Sequence, residues 1–213
     1  MVQQASEYRR RFTALAQQFG YSDPTSKLDL MLDEQRQDFA SFILPELLEN
    51  HFSGLLQKLR SHQEYFDPLH MIGEISAAEK RFAYVAGLGE FKVHVWGDSF
   101  WKAIKRLGGT YRGAAKHFEE LTKIYCGSAI KVDIGRIYQK EIITMRVFYV
   151  LSCGGFLLTE DTEELHNLFE VGTELETYSN LAELRRKVLF YLNNPDKARS
   201  IGQAGRERIL NDH

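Results

Sequence analysis

Apolar positions recur every three or four residues through the first part of the chain, and the pattern predicts helices there. In "EYRRRFTALAQQF" they are Phe12, Leu15, Ala16 and Phe19, with Ser6 as the expected cap and Gly20 as the stop. "YSDPTS" reads as a turn. A second helix is expected from Lys27 to Phe39, on Leu28, Leu30, Met31 and Leu32. Pro45 suits the first turn of a third, "PELLENHFSGLLQKLRSH". "FDPLHMIGEI" interrupts the pattern. Ser76, with Glu79 three residues later, has the form of a capping box opening "AAEKRFAYVAG".

Beyond residue 90 short strands begin to alternate with helices. "FKVHVW" alternates like a strand, "SFWKAIKRLG" is a short helix, and "TYRG" a short extended piece. The helix "AAKHFEELTKIYCG" precedes the strand "SAIKVDIG". A helix around Met145–Cys153 leads to the strand "GFLLTE", the helix "TEELHNLF" and the strand "TELETY". Two helices close the chain, the second opened by Pro195. Strands separated by helices of this length call for right-handed crossovers and a parallel sheet. The expected class is therefore α/β: a Rossmann-like parallel sheet with flanking helices over residues 76–213, preceded by an α-helical N-terminal region over residues 1–75.

Composition narrows the function. The chain has 213 residues, and a formal charge of -2 offers no basic field for nucleic acid. No apolar run approaches the ~20 residues of a membrane span, and the start "MVQQASEYRRRF" lacks the apolar core of a signal peptide. A soluble, cytoplasmic protein is expected. The only two cysteines, Cys126 and Cys153, make neither a disulfide framework nor a metal-ligand spacing. Nor do His51, His62 and His70 fit a metal motif, so no metal is expected. Cys153, at a helix C-terminus, reads as a structural thiol, because the dipole there disfavours a thiolate.

Open parallel sheets bind ligands beyond the carboxyl ends of their strands. Four loops qualify: Gly97-Asp98, Tyr111-Arg112-Gly113, Gly135 to Thr144, and Thr159 to Thr162. The third is the most informative, since it carries Arg136 and Lys140 and ends on Thr144 at a helix start, with Arg146 just inside. Unpaired amides and the positive end of the helix dipole suit a phosphate, and a guanidinium adds a fork of donors. Each residue also has a structural reading. Arg146 can pair with Asp133, Gly154-Gly155 can be a helix stop, Arg136 and Lys140 can be solvated surface, and Trp96 and Trp101 can be core aromatics rather than base-stacking platforms.

The segments "VHVWGDSFW", "YRGAAKHFEELTKIYCGSAIKVDIG", "MRVFYVLSCGGFLLTED", "ELHNLFEVGTELETY" and "RERILNDH", in that order, resemble the C-terminal half of group 1 glycosyltransferases, and most of all the spore-maturation glycosyltransferase-like branch. The resemblance implies one half of a GT-B fold, with a nucleotide-diphosphate sugar as donor substrate and no separate cofactor. By position, Thr144 and Arg146 would cradle the diphosphate, helped by Arg136 and Lys140, with Tyr111, Arg112 and Gly113 beside the nucleobase, and Gly97 and Gly154 would also belong to the donor site. Tyr149 stands where relatives carry a glutamate for the ribose, and a phenol cannot replace its bidentate acceptance. Glu141 stands eight residues before Tyr149, the spacing of the glutamate pair, in poorly matching surroundings. The acceptor (a glycan, a protein or a small molecule) and any catalytic base would belong to a second domain, which residues 1–75 are too short and too helical to supply. The expectation is a donor domain of a longer enzyme. The alternative is a non-catalytic module that binds nucleotide or self-associates through its N-terminal helices.

Overall fold

A computed structural model describes residues 2–62, 67–116 and 118–212. Its elements divide into two compact units. The first comprises Met1–Phe82 with Arg136–Tyr138, and the second Ala83–Gly135 with Gln139–His213.

The first unit is helical: α1 (Val2–Gln18), α2 (Pro24–Gln37), α3 (Leu44–His51), α4 (Leu55–Ser61) and most of α5 (Pro68–Gly87). Its core gathers Phe12, Leu28, Met31, Leu32, Leu44, Leu48, Phe52 and Ile72, all essentially sealed from solvent. Gly20 ends α1 as expected, at φ 83°, with its N–H on Gln17 O and that of Tyr21 on Ala16 O, the paired bonds of a Schellman stop. Three expectations fail locally. Ser6 lies inside α1, which already starts at Val2. The helix expected over residues 45–62 breaks, because Phe52 turns into the core against Phe12 and Gly54 takes φ 72° at the start of α4. The Glu49 carboxylate fixes that corner by accepting from Ser53 Oγ and Gly54 N. Finally, α5 starts eight residues before the capping box, with Pro68 in its first turn and Asp67 accepting from His70 N. Ser76 is thus buried in mid-helix, its hydroxyl without a partner, and Glu79 pairs with Arg36 instead.

The second unit carries the strands. β1 (His94–Trp96) and β2 (Thr110–Gly113) pair in parallel around a 3₁₀ helix, Ser99–Leu107, capped by Asp98. β3 (Lys131–Val132), β4 (Leu157–Glu160) and β5 (Glu176–Tyr178) form a second parallel sheet in sequential order, with Val132 opposite Leu158 and Glu160 opposite Tyr178. The strands are parallel as expected, but among the described residues they hydrogen-bond as two small sheets rather than one. Helices α6 (Glu119–Gly127), α7 (Met145–Ser152), α8 (Glu163–Leu168), α9 (Leu181–Asn193) and α10 (Pro195–Asp212) make the crossovers and the tail. The core of this unit joins Val147, Val150 and Leu151 of α7 to Leu157, Leu165, Phe169, Leu175 and Ile209. No helix among the described residues is long and apolar enough to cross a membrane.

What seats α7 is a close approach by α10. A Cβ on Gly202 would stand 2.7 Å from Gly154 O, and one on Gly205 would stand 2.2 Å from Glu174 O and 2.8 Å from Leu151. No side chain fits there. Gly205→Ala must push α10 off α7 and the turn before β5, so we expect about 1–3 kcal/mol lost to overpacking, seen as a lower urea midpoint at unchanged slope. An unaltered midpoint would mean that the contact does not hold the tail.

Candidate functional site

Three strands end together where α7 begins, and Asp133 joins them. Immediately after β3, its N–H donates to Leu158 O at 2.9 Å and its carbonyl accepts from the Tyr178 hydroxyl at 2.7 Å. Tyr178 is buried, and burial, with Glu160 nearby, pushes its phenol well above the ordinary range, so it remains a donor. The Asp133 carboxylate is sealed as well. One oxygen pairs with Arg146 Nη1, and the other accepts from Thr144 Oγ1 at 3.1 Å. Every polar group of this residue is committed, which is what a buried charge requires.

Two consequences follow at the helix end. Thr144 is the N-cap of α7 in backbone position (φ -75°, ψ 149°), yet its hydroxyl does not cap; it points to Asp133. A threonine cap would ordinarily accept from the second or third amide of the helix; here that of Val147 donates to Thr144 O at 3.0 Å, and that of Arg146 is left without the hydroxyl as acceptor. Arg146 itself is held by one nitrogen while 45% of its side chain stays in solvent. The structural expectation of an Arg146–Asp133 pair and the exposure needed for a ligand contact are both met. Tyr149 lies one turn further on the same helix face and is exposed. Tyr125 of α6 lies near both, its phenol raised chiefly by burial and opposed by Arg146.

The other expected residues are not gathered here. Gly154 takes φ 67° at the far end of α7, where its N–H bonds Leu151 O and that of Gly155 bonds Val150 O. It is a Schellman stop, roughly 12 Å of helix away from Thr144. Gly97, Tyr111, Arg112 and Gly113 cluster at the ends of β1 and β2. There the Tyr111 hydroxyl donates to Gly97 O at 3.1 Å and Gly97 N to Gly113 O at 2.9 Å. Arg112 reaches His94 Nε2 at 3.3 Å, which requires a lone pair on that nitrogen. Trp101 is buried against Gly97, as a core aromatic. Lys140 is exposed.

Arg136 is turned elsewhere. Its Nε donates to Glu74 at 2.7 Å within the helical unit, where Tyr138 donates to the same carboxylate. In the sequence alone Asp133 is a candidate partner for Arg146 and Tyr178 the end of a strand, and neither points to a role at the site. For Asp133 the signal is a carboxylate closing the strand "IKVD"; for Tyr178 the mostly polar "TELETY" carries none. Among the described residues no three His, Cys, Asp or Glu side chains gather as metal ligands.

A family described as glycosyl transferase-like has a model that matches residues 76–213. Neither a curated protein nor a solved structure matches the chain.

The Glu74 cluster gives a pH signature. Burial pushes the carboxyl up, but the hydrogen bond from Tyr138 and the charge of Arg136 outweigh it, so Glu74 titrates below its ordinary value. A carboxyl lowered by folding stabilises fully above its unfolded value, about 4.3, and that contribution fades as pH falls through the folded one. Glu74→Gln should cost about 1–3 kcal/mol near neutrality and flatten the loss of stability below about pH 4. Urea titrations across that range check it, and parallel pH profiles for the two proteins would refute it.

Proposed function

The chain belongs to that glycosyl transferase-like family, and on this premise we propose that residues 76–213 are the donor-binding half of a glycosyltransferase, with the diphosphate of a nucleotide sugar at the amino end of α7. One observation carries the reading. A half-exposed guanidinium, braced by a sealed carboxylate, stands at a helix start whose cap hydroxyl is turned away from the amides. Such a start, following a parallel strand, suits an anion.

The chemistry follows from charge. As an acceptor hydroxyl attacks the anomeric carbon, the bond to the diphosphate oxygen breaks and negative charge grows on the leaving group. Arg146 and the amides of the first turn are aimed at that charge, and preorganised donors act where charge develops. Asp133 positions Arg146 without touching the ligand, and Thr144 locks Asp133 in turn. In this scheme the guanidinium and helix terminus offset the diphosphate charge without a metal ion. The acceptor, and a base to take the proton of its hydroxyl, come from outside these residues. Tyr149 offers the ribose a single phenol in place of a carboxylate. A second reading, a non-catalytic module, draws on the Arg146–Asp133 pair, which cancels much of the guanidinium's charge.

Calorimetric titration separates the donor site from a module that only self-associates. We expect uridine or guanosine diphosphate to bind, and Arg146→Ala to weaken binding by about 10–100-fold, the worth of a charge-assisted hydrogen bond. No heat with any nucleoside diphosphate or nucleotide sugar at millimolar concentration would overturn the donor site and favour a module that self-associates.

A further inference from the structure

The two cysteines are far apart in sequence but meet at the carboxyl end of α7. Cys126 is the penultimate residue of α6 and is exposed; Cys153, half-buried, is the C-cap of α7. Cys126 Sγ lies 3.7 Å from the backbone oxygen of Cys153, and its thiol is near enough to help raise that of Cys153. Two cations flank the corner. Lys131 is buried, with Nζ on Ser128 O at 2.6 Å and so close to Gly155 that a Cβ there would stand 2.9 Å from it. Arg206 donates to Ser152 O at 3.3 Å, and both charges favour a thiolate at Cys153. We propose that Cys126 and Cys153 form a reversible intrachain disulfide that pins the end of α6 to the end of α7.

The step is thiol–disulfide exchange with a low-molecular-weight disulfide such as oxidised glutathione. The accessible Cys126 thiolate attacks one sulfur of that disulfide, forms a mixed disulfide and expels one thiolate. Cys153, as thiolate, then attacks the Cys126 sulfur and expels the second. The chain loses two electrons and two protons, and the oxidant leaves as two thiols. Burial raises the Cys153 thiol, so it acts second, and Lys131 and Arg206 stabilise its charge while it does so.

α6 gives the bond something to control. None of its residues is buried, and its flank lies against α7, where Tyr125 packs on the core near Arg146 and Tyr149. Such an element opens readily. A crosslink at its last turn removes much of that freedom, whether or not a nucleotide binds at the other end of α7.

The full chain is equilibrated with graded ratios of oxidised to reduced glutathione, quenched with an alkylating agent and weighed intact. We expect two alkylatable thiols to fall to none, with loss of two hydrogens, a linked Cys126–Cys153 peptide and full reversal by dithiothreitol. Amide exchange over residues 119–127 should slow by roughly tenfold or more in the oxidised chain. Cys126→Ser and Cys153→Ser should each stop at a single mixed disulfide, and the former, at an exposed position, answers the question even if the latter fails to fold. Two free thiols at every ratio, glutathione on both cysteines, or only intermolecular dimers would overturn the pairing. Unchanged exchange in α6 would overturn the pinning.

Discussion

The second unit turns on one sealed carboxylate. Asp133 stands where β3 ends, and a lone charge there would be expensive to bury. It is tolerated because Arg146 neutralises it, Thr144 donates to it, and its backbone is clamped by β4 on one side and by Tyr178 of β5 on the other. That knot ties the ends of three strands to the start of α7. Removing any one partner leaves the others with an unmet demand in a low-dielectric setting, so the strand ends and the helix start are held in one register.

The far end of α7 is fixed by different means. The Gly154-Gly155 stop reverses the chain into β4, and α10 closes over that turn because Gly202 and Gly205 have no side chain to keep it off. Packing decides one end of the helix and electrostatics the other. Arg146 thereby gains a fixed root and a free face, as a residue that must meet a charged ligand needs. The same corner brings Cys126 to Cys153, so the segment that stiffens the site also carries chemistry of its own.

Much of this was legible in the residues, and the failures have physical causes. Helices with a clear apolar stripe and a glycine stop, such as α1, were readable, as were the parallel strands after residue 90 and the pairing of Arg146 with Asp133. Helix starts were less so. Ser6 and Ser76 have good capping chemistry, but the helices begin earlier: Asp67-Pro68 supplies another start for α5, and Ser76 is left buried with an unpartnered hydroxyl. The break at Phe52 comes from a ring entering the core, a tertiary demand that no local periodicity records. Arg136 sits in the right loop for a phosphate, yet a carboxylate more than sixty residues away in sequence claims it. The division into two sheets, the meeting of the cysteines and the clamp by Tyr178 are likewise long-range facts.

What remains is whether the free face of Arg146 and the amides beside it meet a diphosphate. Amide chemical shifts of the labelled protein during titration with uridine diphosphate report on those groups one by one. The account predicts that the largest movements centre on Met145 and Arg146, saturate together and vanish in Arg146→Ala. Movements centred on Gly97 to Gly113, with Met145 and Arg146 still at saturation, would contradict it.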